Sequence, residues 1–408
     1  MHDLARLALS SALTLCAPSA SWVSAQGVAP RQVQVHPVPF SDDPADLPLL
    51  GDQDIHLYTQ EAYEGFSPSI TTAVAGRYDE LVAAGMDTAR HLFDWADLEP
   101  SPGVYDTALV LEAMQDRRDR GIRHQFCNLV IVDSGGKTVP PYVEALLASP
   151  QGWQHPALLR ALEDLLDVFV PLFLQHDAYL LGLANEPGGY FEDEPLEAAS
   201  FPAFVAHGFE HVRTLEPRLS CTVVFAGAQD GALPSLMPLC DVASFNTYVY
   251  RQELDPNCAL AGQRLPLYRA DSAASVGSLL DELIVAAAGR LVCIQEFGQA
   301  SGWNDMPQTL GPQAGLANQA SCMEALGQAL ANRSAHVRTV CQWVLNDHTP
   351  AGMQYLVDDL QSAGLPSCYA ANIAEIFGPA GLVRSDATAS IKPAFVAFRD
   401  AVQRFAQR

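Results

Sequence analysis

The stretch Tyr179-Leu180-Leu181-Gly182-Leu183-Ala184-Asn185-Glu186-Pro187 decides the fold. Its first six residues carry no charge and do not alternate apolar with polar. That is the pattern of a strand covered on both faces, as in a parallel sheet under helices. The run then stops on an amide, a carboxylate and a proline. Leu291-Val292-Cys293-Ile294-Gln295-Glu296-Phe297-Gly298 follows the same plan. Six further runs read as strands: Ile55–Thr59, Thr88–Phe93, His124–Val132, Cys221–Ala226, Val242–Thr247 and Thr339–Leu345. Helical patterns separate them over Tyr78–Ala84, Thr107–Arg120, Ala157–His176, Phe201–Leu215, Val276–Ala288 and Gln319–Ala331, with the weakest helical signal between the fifth and sixth strands. Eight strand-then-helix steps predict parallel strands with right-handed crossovers, hence an α/β chain folded as a single-domain (β/α)8 TIM barrel. An open, doubly wound sheet would want a glycine-rich phosphate turn after an early strand. Gly135-Gly136-Lys137 lacks that spacing and reads as a loop.

The composition fits one large barrel. Of 408 residues, 49% are hydrophobic and 17% charged, which excludes wholesale disorder. The net charge of −24 argues against nucleic acid, which needs clustered Lys and Arg, and against docking on anionic membrane. Arg6, the apolar run Leu7 to Cys16 and Val23-Ser24-Ala25 before Gln26 follow the plan of a secretory signal peptide. The expectation is a signal over 1–25, an extended Pro- and Asp-rich leader over 26–50, the barrel over 51–408, and a secreted or periplasmic product without a membrane span. Lipid attachment at Cys16 would want a small residue where Leu15 stands. Cys127, Cys221, Cys293 and Cys341 lie inside strand-like runs and read as small core residues. Cys240 and Cys258 are placed for a loop bridge, and no Cys or His spacing matches a zinc site.

Barrel enzymes place their active sites at the C-terminal ends of the strands. Here those ends carry Arg90 with Asp94-Trp95 (second strand), Asn185-Glu186 (fourth), Asn246-Thr247-Tyr248 (sixth), Glu296 (seventh), and Trp343 with Asn346-Asp347-His348 (eighth). A Glu directly after an apolar run is buried at a cost unless it is paired or used. Strands four and seven face each other across a barrel mouth, so Glu186 and Glu296 can converge on one bond. Two carboxyls about 5 Å apart serve a retaining glycosidase, one as nucleophile and one as acid and then base.

These motifs resemble the clan of retaining (β/α)8 glycoside hydrolases, closest to the cellulase-type family five. Asn185-Glu186-Pro187 and Glu296-Phe297-Gly298 are similar to its two catalytic strand ends. Trp95 through Asp106 resembles its W-x-x-x-E-P-x-x-G-x-Y-D segment. Arg90, Tyr248, Trp343 and Lys392-Pro393-Ala394 fall on its strand-two arginine, strand-six tyrosine, strand-eight tryptophan and final-helix start. The resemblance implies Glu186 as acid/base, Glu296 as nucleophile, and Asn185 on the sugar 2-hydroxyl. It also implies Arg90 and Tyr248 on Glu296, and Trp343 as the floor of a sugar subsite. Trp95, Tyr190, Asn246, Trp303 and His348 are further candidates for contact with a β-linked oligo- or polysaccharide. No cofactor and no metal are implied. The chain departs from family five in two places. Strand three runs Asn128-Leu129-Val130-Ile131-Val132-Asp133 without the family's histidine, and strand six has Asn246-Thr247-Tyr248 in place of His-x-Tyr. Both changes alter sugar contacts before they alter the Glu pair.

Two rivals stay in view. A metal-dependent barrel hydrolase would want His-x-His on strand one, and Ile55-His56-Leu57-Tyr58 offers one His. A catalytically silent sugar-binding barrel has no need of both Glu. His207 and His211 have metal-ligand spacing on a helix but read as a solvated face, and Ser134 lies in no GxSxG motif.

Overall fold

The computed structural model describes residues 55–61, 67–134, 136–260, 263–302, 310–311, 313–362 and 364–407. The expected signal and leader, and Trp303, lie outside the described residues. Eight parallel strands form the barrel: β1 His56–Thr59, β2 Thr88–Asp94, β3 His124–Val130, β4 Ala178–Asn185, β5 Ser220–Phe225, β6 Ala243–Tyr248, β7 Val292–Gly298 and β8 Val337–Gln342. Their hydrogen-bonded order is β1-β8-β7-β6-β5-β4-β3-β2. β1 and β2 also lie side by side, so the barrel is nearly closed.

The crossover helices are α1 Pro68–Ala83, α2 Thr107–Asp119, α3 Pro156–Gln175, α4 Phe201–Leu215, α5 Leu233–Leu236, α6 Ser275–Ala286, α7 Leu316–Ala331 and α8 Pro393–Ala406. Proline opens α1, α3 and α8, where its missing N–H costs nothing. In α3 the buried side chains Leu158, Leu162, Leu165, Leu166, Phe169 and Phe173 recur at helical spacing and lie on the sheet. The weak helical signal of the fifth crossover corresponds to the single turn of α5. Helix α1 begins ten residues before the expected Tyr78 because its first turns are Thr- and Ala-rich and carry little apolar periodicity. Strand β8 ends at Gln342 rather than Leu345, since Gln342 is the last residue paired to both β1 and β7.

Two insertions build a second apolar cluster over one side of the barrel mouth. An antiparallel hairpin, Tyr250–Leu260 with Gln263–Ala270, follows β6. Helices Pro350–Ser362 and Ser367–Phe377 follow β8. Leu267, Leu360, Tyr369, Ile373 and Phe377 bury against one another there, with Trp343 at the edge. The Cys258–Cys368 disulfide joins hairpin to helix. This corrects the expected Cys240–Cys258 bridge. Cys240 is a buried free thiol beneath the barrel wall, at 3.4 Å from the Leu236 carbonyl. The strand cysteines Cys127, Cys221, Cys293 and Cys341 are free and buried, as their apolar setting implied. No helix among the described residues is long and apolar enough to cross a membrane.

Candidate active site

The parallel register brings the two carboxylates to one mouth. Glu186 is the first residue past β4, and its amide bonds the Val224 carbonyl of β5 at 2.7 Å. Its φ of 48° is the left-handed region, which costs a non-glycine residue about 1 kcal/mol or more and turns the side chain inward. Glu296 sits within β7, opposite Asn246 of β6. Both are more than nine-tenths buried.

Their surroundings differ in kind. Arg90 Nη1 donates to Glu296 Oε1 at 2.7 Å, and the Tyr248 hydroxyl donates to Glu296 Oε2. Glu296 therefore faces a cation and a phenol. Burial pushes the Tyr248 phenol well above its usual range, which keeps it a donor. Glu186 has no ion pair with a cation among the described residues. Its Oε1 accepts from Asn246 Nδ2 at 2.7 Å, and Ser134 Oγ lies 3.3 Å from Oε2. Burial, and then the charge of Glu296, push its carboxyl up to about 8, with Asp133 and Asp230 acting in the same direction against the Asn246 hydrogen bond. The geometry thus gives the two carboxyls opposite surroundings, a cation and a phenol at Glu296 and a raised carboxyl at Glu186, the kind of division that two-carboxylate catalysis requires.

Asn185 connects them. Its Oδ1 accepts from Arg90 Nη2 at 3.1 Å and from Asn246 Nδ2 at 3.2 Å, while its Nδ2 donates to Asp133 Oδ1 at 2.8 Å. The network runs from Glu296 through Arg90 and Asn185 to Asn246 and Glu186. Beside it lies a cavity of about 280 Å³ lined by Glu186, Thr247, Tyr248, Tyr250, Tyr268 and Phe377. Tyr250 and Tyr268 come from the inserted hairpin, so the insertion supplies much of the cavity wall. A larger groove of about 720 Å³ near Lys137, Gln151 and Glu197 holds neither Glu and has no chemistry of this kind.

Glu186, Glu296, Arg90, Asn185, Asn246 and Tyr248 therefore meet at one mouth. Trp343 stands at the same mouth, edge-on to the Tyr248 ring at 6.0 Å and tilted against His348 at 5.6 Å. His348 is buried, and burial holds its imidazole neutral down to about 4. Trp95 and Tyr190 do not join the site. Trp95 is fully buried, donates to Glu99 Oε2 at 2.8 Å and stacks on Phe204 of α4. Tyr190 accepts from Trp153 Nε1 at 2.7 Å within a cluster of Phe201, Phe191 and Trp153. The short helices that follow β2 and β4 fold both rings back under the barrel rim, where they are core rather than subsite.

Two site residues escaped the sequence reading. Asp133 and Ser134, past the end of β3, are 3% exposed and touch Asn185 and Glu186. The signal was available, since Asp133 is a carboxylate directly after an apolar run, the criterion that singled out the two Glu. His207 and His211 bond Glu163 and Asp167 on the neighbouring α3, at 2.8 and 2.7 Å, as a solvated face would. Among the described residues, one His and carboxylate group has metal-ligand spacing: His56, Asp87 and His124. These lie at the N-terminal ends of β1, β2 and β3, across the barrel from Glu186, and Arg123 already bonds Asp87 at 3.0 Å.

No protein-family model matches the sequence, and no curated protein matches it. Solved structures do match. The exo-beta-1,4-mannosidase Op5Man5 from Opitutaceae bacterium strain TAV5 superposes with a TM-score of 0.57 at 18% identity, over 87% of this chain and 60% of that one. A GH5_18 from Streptomyces cattleya in complex with GlcNAc gives 0.58 at 13% identity, over 86% of this chain and 80% of that one. A family 39 glycoside hydrolase from Bacteroides cellulosilyticus WH2 gives 0.54 at 15% identity, over 86% and 64%. The chain thus spans less than two thirds of the length of the mannosidase. At these identities the likeness establishes the fold. It is the (β/α)8 barrel on which these glycoside hydrolases are built.

Proposed function

We propose that the chain is a retaining glycosidase acting on β-linked oligo- or polysaccharide. The observation that carries this is the unequal pair: Glu296 held by Arg90 and Tyr248, and Glu186 without an ion pair among the described residues and pushed up to about 8. The resemblance of the strand-end motifs and the glycoside-hydrolase neighbours of the fold support the same reading. In the first step Glu296 Oε attacks the anomeric carbon while Glu186 gives its proton to the departing glycosidic oxygen. A glycosyl ester of Glu296 forms and the alcohol leaves. In the second step Glu186, now a carboxylate, takes a proton from water. The hydroxide oxygen adds to the anomeric carbon and Glu296 is released, with net retention. In this reading Asn185 meets the 2-hydroxyl, and Trp343, His348 and Asn246 meet the sugar ring. Trp303 belongs to the expected sugar-contacting set. For Trp95 and Tyr190 the core packing replaces that role.

We further infer export, because the pattern over residues 1–25 is that of a cleavable signal. N-terminal sequencing of the mature chain beginning at Gln26 tests it.

The activity test is a pair of variants on a panel of aryl β-glycosides and polymeric glucans, mannans, xylans and galactans. Glu296→Ala should abolish hydrolysis, and azide should restore turnover by replacing the missing nucleophile. Glu186→Ala should spare activated aryl glycosides more than natural substrates, since a good leaving group needs little protonation. Wild-type activity in both variants on every glycoside refutes the reading, as does a wild-type chain inert on the whole panel.

A further inference from the structure

Glu186 is held by more than its burial. Its Oε1 accepts the Asn246 amide, which marks Oε1 as the carbonyl-like oxygen and leaves Oε2 to carry the acid proton. Oε2 faces Ser134 Oγ at 3.3 Å. The same Oγ lies 3.0 Å from Asp133 Oδ1. A serine hydroxyl has one hydrogen and two acceptor positions. It cannot donate to both carboxyls at once.

We propose that Ser134 and Asp133 are positioning residues for the acid/base, a two-state hydrogen-bond relay that follows the proton of Glu186. This deepens the glycosidase reading and rests on it. In the acid state the Glu186 hydroxyl donates to Ser134 Oγ, and Ser134 donates to Asp133 Oδ1. When Glu186 has given its proton to the leaving oxygen, the Ser134 hydrogen turns to Oε2 and steadies the new carboxylate for its second task as base. The Glu186 hydroxyl turns from Ser134 to the leaving oxygen and its proton departs there, while Ser134 keeps its own hydrogen and reorients from Asp133 to Glu186.

Three observations support the assignment. The site is rigidly built: Ser134 N donates to the Asn185 carbonyl at 2.9 Å, and Asp133 pairs with Asn185 across the parallel register. The same Asp133 Oδ1 accepts from Asn185 Nδ2, so the relay and the catalytic asparagine share one anchor. Ser134 and Glu186 both hold left-handed backbone, at φ 46° and 48°. Such strain on two residues in mutual contact is retained where the geometry is used.

The protonation states fit. Burial raises Asp133 to about 6, against hydrogen bonds from Asn185 and Ser134 that lower it. Between about pH 6 and 8, then, Asp133 is ionised and Glu186 protonated. The charged and titratable groups around Glu186 are Asp133 past β3, Asp230 past β5, Tyr248 on β6 and Glu296 on β7. Arg90 on β2 is spent on Glu296 and Asn185.

The test compares Asp133→Asn and Ser134→Ala with wild type, using dinitrophenyl and methyl β-glycosides of the sugar that wild type turns over. An Asn at 133 keeps an oxygen for Asn185 and Ser134 but removes the charge. The alkaline limb of kcat/KM should move acidward by about one pH unit, as expected for loss of a neighbouring like charge. Turnover of the methyl glycoside at pH 7.5 should drop by about threefold, the fall in the protonated fraction of Glu186, with KM little changed and the dinitrophenyl glycoside spared. Ser134→Ala keeps the charge and breaks the relay. It should lose about tenfold in kcat on the methyl glycoside with a smaller shift of the limb. Melting curves identify a variant that fails to fold, and the other then decides. Folded variants with the wild-type limb and leaving-group ratio overturn the relay while wild-type hydrolysis leaves the glycosidase reading standing. An inert wild type removes both.

Discussion

Glu186→Gln should stabilise the protein at neutral pH while disabling it. A carboxyl that titrates near 4.5 in the unfolded chain and near 8 in the native state binds more protons when folded. Stability then falls as pH rises through that window, because the unfolded state ionises first. Each pH unit costs about 1.4 kcal/mol, so by pH 7 the native state has lost about 3 kcal/mol relative to pH 4. Glutamine removes the titration and keeps the contacts. Its carbonyl oxygen accepts from Asn246 and its amide donates to Ser134, in the positions Oε1 and Oε2 hold now. Urea unfolding of both proteins at pH 4 and pH 7 isolates the effect, because contributions that do not depend on pH cancel in the difference. The variant's advantage should be about 3 kcal/mol larger at pH 7 than at pH 4. Parallel stability-against-pH curves for the two proteins would refute the raised carboxyl and the acid role derived from it.

Other consequences are as direct. Opening the Cys258–Cys368 bridge with Cys258→Ser should cost about 2–4 kcal/mol, read as a lower melting temperature that reductant reproduces in wild type. Trp95→Ala should cost about 3–5 kcal/mol in urea unfolding but leave KM within about twofold in the folded fraction, since the ring fills core against Phe204. Lys392→Met removes a buried ammonium that donates to Asp347, Ser301, Pro379 and Gly381. It should cost about 3–5 kcal/mol near neutral pH, the penalty of a lone buried carboxylate. Burial raises Asp347 to about 6 against the Lys392 charge, and without that charge it rises further, so the loss should shrink as pH falls toward 6 and level off below it.

The sequence carried the barrel because each buried parallel strand is written as an unbroken apolar run, and the runs come at regular intervals. It carried Glu186 and Glu296 because a carboxylate straight after such a run is too costly to be idle. The same rule, applied to Val130-Ile131-Val132-Asp133, singles out Asp133 as well. Trp95 and Tyr190 show the opposite limit. Each follows a strand end closely, yet a short helix turns its ring inward, and no local pattern distinguishes a ring on a rim from a ring beneath it. The disulfide was illegible for a different reason. Cys258 and Cys368 belong to insertions after different strands, and only the packing of hairpin on helix brings their Cα atoms to 5.8 Å. Those insertions also supply Tyr250, Tyr268 and Phe377 to the cavity, so much of the wall beside the acid was hidden with them.

The two ends of the barrel treat carboxyls in opposite ways, and the contrast argues for function at one of them. At the N-terminal end Asp87 is partly buried, which would raise it, but hydrogen bonds from His124 and His56 outweigh that burial and hold it well below the ordinary range. Its folded pKa is depressed, so it adds stability above its unfolded value and loses it only in strong acid. At the C-terminal end Asp94 is pushed up to about 7 and Asp133 to about 6, each chiefly by burial, and Glu186 to about 8. All three bind more protons folded than unfolded, so all three subtract stability as pH rises from about 4 to 8. The −24 net charge adds self-repulsion in the same direction. A chain selected for stability alone would pair these groups, as it pairs Asp87. Leaving three without an ion pair among the described residues at the strand ends makes sense where a proton must be held near neutrality. Stability should therefore peak on the acid side of pH 6, and a maximum at pH 8 would contradict the raised carboxyls as a group.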